Sequence, residues 1–460
     1  MLRRLIVVTL ASVLVAACGG NGSGSDERKV LVDYESEEFA MFVAANFPQK
    51  VQALPGQTIL FEQQWTGEPH TITSGKQISA DLEKGSAWFE LFNGYGELQT
   101  TNDDLVNPED PGDATFADFV AQLKAAKPAA ARDNVLDAYR SLMKTFAELP
   151  DIDSPPPLPF SEVNDLIDEL SGQSFENLLF VGDDIGDIQQ NTGQACYLKS
   201  GLPPEDGSTR CSRAQQQQPE FDGTYSFYNS GILPYEGPRG NSYPMKLADD
   251  IKPGKYFFYC AVHGPSQLSE IQVLKPGSEV PTAREVAQKG RDDAEEFILP
   301  LDKLYRETVK TNTFDLDGET LKGPFGGLPS NGLFGSINEF VPRTIRAKVN
   351  ETITWKFMGS DHTVSFDVPA YLPIIEFTPN RIRLNPKVKD VAGGSPALTE
   401  PVDGEVYAVD GGTYDGEGFF SSGLFGHEPY ATYSLKISKR GTYNYACLVH
   451  PKMIGKVIIT

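Results

Sequence analysis

Lys439-Arg-Gly-Thr-Tyr-Asn-Tyr-Ala-Cys447-Leu-Val-His450-Pro-Lys-Met453 is the stretch that decides how this chain folds. Its first half alternates aromatic with small or polar side chains, the period of a half-buried strand, and the Gly-containing turn at its start marks a hairpin. Its second half sets a thiol, an imidazole and a thioether on one loop. Soft sulfur with imidazole in a trigonal arrangement, plus a weak axial donor, suits copper passing between Cu(I) and Cu(II), because neither oxidation state gets its preferred geometry. These are three ligands of a type 1 site, and the fourth is expected from a histidine far upstream.

The same device stands earlier, at Lys252-Pro-Gly-Lys-Tyr-Phe-Phe-Tyr-Cys260-Ala-Val-His263-Gly-Pro-Ser-Gln267. Laying the second half of the chain over the first shows an internal repeat. Phe47-Pro-Gln-Lys-Val-Gln-Ala-Leu-Pro-Gly-Gln-Thr-Ile-Leu-Phe61, running on to Pro69-His70-Thr71-Ile72, matches Val341-Pro-Arg-Thr-Ile-Arg-Ala-Lys-Val-Asn-Glu-Thr-Ile-Thr-Trp355, running on to Asp361-His362-Thr363-Val364. Phe227-Tyr-Asn-Ser-Gly-Ile232 likewise matches Phe419-Phe-Ser-Ser-Gly-Leu424. Short strands, turn signals and returns from distant strands indicate a mainly β chain of two antiparallel Greek-key sandwiches.

At 460 residues the chain is too long for one core. Residues 1–17 read as an export leader: Arg3 and Arg4, an apolar run Leu5 to Val15 too short to span a bilayer, then Ala16-Ala17-Cys18. Val15-Ala16-Ala17-Cys18 resembles a bacterial lipobox, which implies lipidation of Cys18, with 18–27 as a polar tether. The alternative is a secreted protein cleaved after Ala17. The first sandwich is expected over 28–275 with an insertion at about 76–220, a linker with a helix over 276–330, and the second sandwich over 331–460.

The insertion carries helical stripes. Thr115 and Asp118 form a capping-box pattern ahead of Phe116, Phe119, Val120 and Leu123; Leu136, Tyr139 and Met143 share a face; Ser161 precedes Val163, Leu166, Ile167 and Leu170. These stripes are read as packing faces, against the sandwich or each other, with partner docking as the alternative. A connecting helix is predicted from after Thr282 towards Phe297, and the Gly/Pro-rich stretch from Gly323 to Gly335 leads into the second sandwich.

Five cysteines divide into one for the lipid, two for the loops, and the pair Cys196 and Cys211. In an exported chain that pair is expected as a disulfide, with two unpaired thiols as the alternative. The net charge of −23, which deepens when Arg3 and Arg4 leave with the leader, repels nucleic acid and anionic lipid.

The matched elements resemble the cupredoxin family, in its plastocyanin and amicyanin branch. The resemblance implies one type 1 copper at the end of each sandwich. In the second the ligands would be His362, Cys447, His450 and Met453; in the first, His70, Cys260 and His263, with Gln267 at the axial position as in stellacyanin-like members. An amide oxygen is a harder donor than a thioether, so the first site is expected at the lower potential. A three-coordinate first site, or a first sandwich without copper, stays open. The resemblance also implies that the edge of His450, ringed by Pro451 and Met453, is the surface exit for an electron, with Lys452 and Lys456 available to orient a partner.

Four of the five histidines are thereby assigned, leaving His427, read as a loop residue. A trinuclear oxygen-reducing cluster or a type 2 nitrite-reducing site would need several more, so enzyme chemistry is not the leading expectation. Asp183-Asp-Ile-Gly-Asp187 is read as a solvated acidic turn. The expected function is single-electron transfer by a protein lipid-anchored at the bacterial cell envelope, between redox partners such as a cytochrome or a copper protein. The alternatives are copper handling without redox turnover and a copper oxidoreductase with an unrecognised second site.

Overall fold

In the computed structural model the described residues are 27–175, apart from positions 35 and 37, 65–67 and scattered positions over 77–110, and 193–203, 211–233, 241–311, 335–357, 362–368, 375–378, 381–384, 408–423, 432–450 and 452–460. The leader with Cys18, most of the tether, the acidic turn 183–187, His427 and nearly all of the stretch 323–335 lie outside them. Among the described residues no helix is long and apolar enough to cross a membrane.

The chain is mainly β, in two sandwiches. In the first, a four-stranded sheet runs in the spatial order Asn46–Phe47, Glu27–Val32, Thr58–Gln63, Ser242–Lys246. A six-stranded sheet runs Lys50–Ala53, Gly264–Val273, Gly254–Cys260, Thr73–Ser74, Phe227–Ser230, Ala195–Leu198. Alternation along Glu27–Val32 and Thr58–Gln63 sends Val30, Val32, Ile59 and Phe61 inward, where they meet Val51, Phe258, Ile271 and Val273 of the other sheet. Each such side chain contributes about 1.5–3 kcal/mol by leaving water.

The second sandwich pairs a five-stranded sheet, Thr344–Ala347, Ile454–Ile459, Gly441–Ala446, Ser365–Phe366, Phe420–Ser421, with a three-stranded one, Thr352–Lys356, Thr432–Ile437, Ala408–Tyr414. Ile353, Trp355, Leu435 and Ile437 from the smaller sheet pack on Val364, Phe366, Tyr445 and Val457 from the larger.

Two details differ from the sequence reading. The sheets are not purely antiparallel: Glu27–Val32 runs parallel to Thr58–Gln63 and Ala408–Tyr414 to Thr432–Ile437, and in the facing sheets Lys50–Ala53 runs parallel to Gly264–Val273 and Thr344–Ala347 to Ile454–Ile459. The last two pairs each join the start of a repeat to its end, and strands separated by other elements need no hairpin to meet, so a parallel pairing is open to all four. Gly254–Cys260 is also not half-buried. Phe258 faces the sandwich core, while Phe257 and Tyr259 on the opposite face are covered by Ile78, Leu82 and the Cys196–Cys211 pair. The insertion supplies that cover. In the second repeat no such layer is present among the described residues, and Gly441–Ala446 buries only Tyr445.

Cys196 and Cys211 are bonded, closing a loop with a sequence separation of 15. The insertion contains α1 (Phe116–Ala125), α2 (Ala129–Thr145) and α3 (Phe160–Phe175). Thr115 and Asp118 form the expected capping box on α1. The three apolar stripes pack on one another, with Phe119 stacked on Phe160 at 4.2 Å, to make a core separate from that of the sandwich. The chain rejoins the sheet at Ala195–Leu198, inside the span read as insertion.

The connecting helix α4 (Ala283–Thr311) starts at the Thr282–Glu285 capping pair and runs well beyond Phe297. It extends because it is packed rather than spanning open solvent. Ala294 and Leu301 are buried with Phe39, Met41, Val43 and Phe47 of the first sandwich and Ile337 at the start of the second. Gly290 meets the Phe47 carbonyl so closely that a Cβ there would lie 2.7 Å from its oxygen.

Beside this helix, Met41–Val43 pairs with Gly335–Ile337 in a two-stranded antiparallel ribbon. Ala40 N–H donates to Glu339 Oε1 at 3.0 Å, Asn338 N–H to the Ala40 carbonyl at 2.9 Å, and Lys452 Nζ to the Ser36 carbonyl at 2.6 Å. The segment 33–43 therefore holds the two sandwiches together at the end where the loops of interest lie.

Candidate metal centres

Two groups of three donors assemble among the described residues, His70 with Cys260 and His263, and His362 with Cys447 and His450, the ligand atoms of each lying within 4.8 Å of one another. In the second group Cys447 Sγ is 3.9 Å from His362 Nδ1 and 3.7 Å from His450 Nδ1, and the two Nδ1 atoms are 3.1 Å apart. In the first, Cys260 Sγ is 3.9 Å from His70 Nδ1 and 3.5 Å from His263 Nδ1. All six donors converge through sulfur or Nδ1.

The upstream histidine is brought to the cysteine loop by a device present in both repeats. Thr71 and Thr363, the residues after these histidines, donate their backbone N–H to Cys260 Sγ at 3.3 Å and Cys447 Sγ at 3.4 Å. Their hydroxyls accept from Ala261 N–H at 2.7 Å and Leu448 N–H at 2.9 Å. Val262 and Val449 add a second N–H to each sulfur, at 3.4 and 3.3 Å. One residue further, Ile72 and Val364 each donate N–H at 2.8 Å to a serine hydroxyl, Ser230 or Ser422. The following Gly231 and Gly423 have φ of 72° and 77°, a left-handed conformation that glycine adopts without strain. This is why Ser-Gly recurs in both halves; the repeat was visible in the sequence, but its bracing role was not.

Burial alone would push both thiols up. Around Cys260 the charge and hydrogen bond of His263, with His70, outweigh it; around Cys447 hydrogen bonds from His362 and His450 do. Both are held well below the usual thiol range, in the thiolate form that metals bind. Burial depresses His362, whereas His450, despite burial, is raised to about 9 by Cys447 and Glu68, and His263 to about 10 by Cys260 and Glu68.

At the positions read from the sequence as axial the two groups differ. Gln267 is fully buried, and its Oε1 lies 2.8 Å from His70 Nδ1 and 3.2 Å from His263 Nδ1. Its Nε2 donates to Ala45 O at 3.4 Å and Asn46 Oδ1 at 3.3 Å, which fixes the amide with its oxygen towards the imidazoles. Met453 is buried on the loop beyond His450, and its carbonyl accepts from Cys447 N–H at 3.0 Å.

Two carboxylates that the sequence reading did not single out complete the surroundings. Asp33 Oδ2 lies 3.2 Å from His70 Nε2, both side chains fully buried, an arrangement that orients a metal-binding imidazole from behind. Glu68, 24% exposed, has Oε1 3.5 Å from His450 Nε2 and Oε2 3.8 Å from His263 Nε2. No local pattern marks either residue, since each acts across a large sequence separation.

His450 is accordingly not a surface exit. It has no exposed area, and its Nε2 edge faces Glu68 of the first sandwich. Lys452, expected to be available to a partner, is tied to Ser36. Docking of the two sandwiches through the 33–43 segment has covered the face that a lone domain would present.

No family profile matches this sequence, and no curated protein matches it. Among solved structures the chain is similar to a reduced amicyanin variant, at 21% identity over 27% of this chain and 76% of that one, with a TM-score of 0.16. It is also similar to a purple cupredoxin from Nitrosopumilus maritimus, at 13% identity over 26% and 82%, TM-score 0.14. A copper-containing nitrite reductase from Thermus scotoductus SA-01 aligns at 13% identity over 52% of this chain and 48% of that one, TM-score 0.14. At such scores the weight rests on the side chains described above.

Proposed function

We propose that this chain is an electron-transfer protein with two mononuclear type 1 copper sites, one held by His362, Cys447, His450 and Met453 and the other by His70, Cys260, His263 and Gln267. The observation that carries the reading is the convergence, twice, of one thiolate and two Nδ1 atoms within 4.8 Å. The donor set fits copper: each group joins a thiolate to two imidazoles, and an amide oxygen or a thioether just beyond the downstream histidine would supply the further, weaker donor. Bound there, copper supplies a one-electron couple.

The residues of the chain do the rest. Paired N–H donors hold each sulfur as a thiolate, Asp33 fixes the ring of His70, and the aromatic cores keep water from the donors. The rigid strands beneath leave little to move when an electron arrives. Export and lipid anchoring through Cys18, and exchange with a haem or copper protein, belong to the same proposal and rest on the leader sequence and on the chemistry of the couple.

A second reading, copper holding without turnover, is favoured by the depth of both donor sets, since His70, Cys260, Gln267 and His450 have no exposed area. The test is the visible and paramagnetic resonance spectrum of the copper-loaded protein, with copper counted per chain, beside His70→Ala and His362→Ala. Two coppers and two thiolate-to-copper bands, one lost in each variant, are expected. Fewer than two coppers in the unaltered chain would sink the two-site reading, and sites that cannot be cycled reversibly would favour holding.

A further inference from the structure

One side chain faces both clusters. Glu68 directs Oε1 to His450 Nε2 at 3.5 Å and Oε2 to His263 Nε2 at 3.8 Å, so the two oxygens of a single carboxylate meet imidazoles from different sandwiches. The rings concerned are the downstream histidines, each three residues after its cysteine. Their Nδ1 atoms face the sulfurs at 3.7 and 3.5 Å, so each Nε2 is left to carry the proton on the side that faces the carboxylate. Glu68 is two residues from His70, with Pro69 between, on the segment that the Thr71 N–H to Cys260 bond ties to the first cluster.

Nor is the carboxylate part of the repeated device. The position matching Glu68 in the second repeat is Ser360, whereas the cysteine, both histidines, the threonine and the Ser-Gly brace occur in both. A carboxylate present once, at the junction, has no role inside a lone sandwich that its counterpart shares. Its negative charge there suits the two imidazole edges that face it.

We propose that Glu68 is the coupling residue between the two centres, joining His263 and His450 into one path for an electron passing between the sandwiches. The proposal rests on the two-site copper reading. The path runs from Cys260 through the ring of His263, across an N–H to Oε2 contact, through the carboxylate carbon, and across an Oε1 to H–N contact into His450 and Cys447. One electron leaves the first couple, Cu(I) becoming Cu(II), and reduces the second, Cu(II) becoming Cu(I). No bond is broken, and both Nε2 protons stay on their rings. The initial electron comes from a one-electron donor protein of the haem or copper class. The hard oxygen of Gln267 favours the oxidised state of the first couple, so transfer towards the Met453 site is downhill.

The test uses the full chain loaded with copper. Pulsed radical reduction of one site is followed by the rate at which the thiolate-to-copper bands exchange intensity, a rate independent of protein concentration. In Glu68→Ala this rate is expected to fall at least about tenfold, the scale on which partners behind metal ligands act. Glu68→Gln, which keeps the shape but offers one acceptor oxygen for two donors, is expected to fall between. In the fully reduced, diamagnetic protein two slowly exchanging imidazole N–H resonances are expected, both broadened and lost to solvent exchange in Glu68→Ala; this readout does not depend on electron transfer.

An unchanged rate in Glu68→Ala with two intact copper spectra would overturn the bridge while leaving the two-site reading in place. A third equivalent of metal in the unaltered chain that disappears in Glu68→Gln would also overturn it, because the carboxylate would then be a ligand. Fewer than two coppers in the unaltered chain would instead be a failure of the two-site reading itself.

Discussion

Gln267 Oε1 sits 2.8 Å from Nδ1 of His70, held there by two bonds from its own amide nitrogen to Ala45 and Asn46. The amide is therefore placed by Ala45 and Asn46, at the start of the neighbouring strand, and the first group differs from the second by construction.

Replacing Gln267 with Met is expected to raise the potential of the first couple towards that of the second, because a thioether favours Cu(I) more than an amide oxygen does. A spectroelectrochemical titration that resolves the two bands checks this. A shift to lower potential, or none, would show that the amide is not an axial donor.

Phe119 lies in the helical core, which is separate from that of the sandwich, stacked on Phe160. Phe119→Ala should destabilise the helical unit by about 3–5 kcal/mol while leaving both copper spectra unchanged. Hydrogen exchange should accelerate over 111–175 and hold elsewhere. Loss of the first copper band in this variant would mean that the helices support the site directly.

The Cys196–Cys211 bond closes its loop against Phe257 and Tyr259, the outer face of the strand that carries Cys260. Changing both cysteines to serine should lower stability by about 3 kcal/mol through the freed loop in the unfolded chain. The same substitution should leave copper stoichiometry at its unaltered value, as measured on the folded fraction.

Burial pushes Tyr228 and Tyr445 up from 10.0 to about 12, their contacts with Tyr243 and Trp355 offsetting only part of it. Below pH 10 these tyrosines are neutral in both folded and unfolded chains, and their full contribution is present. Between about pH 10 and 12 the unfolded chain ionises first, so stability falls as pH rises, by up to about 1.4 kcal/mol per unit for each group. Denaturant midpoints across that range should fall less steeply in Tyr445→Phe. An unaltered slope would show that Tyr445 does not contribute.

The sequence by itself determined the two His-Cys-His groups, the duplication and the two mainly β units, because strand periodicity and loop spacing are written within a few residues of one another. It also gave the capping box of α1 from local hydrogen-bond chemistry, the start of α4 after Thr282, and the expectation of a Cys196–Cys211 bond by count, which the structure contains. Only the tertiary structure decided that His450 faces inward, that one carboxylate meets both downstream histidines, and that α4 continues to Thr311 as part of the junction. Those outcomes depend on which surfaces are buried when Met41–Val43 pairs with Gly335–Ile337 and the helix fills the angle between them. Glu68 and His450 are remote in the chain, and no periodicity or spacing rule reaches that far; their meeting is a property of the docked sandwiches.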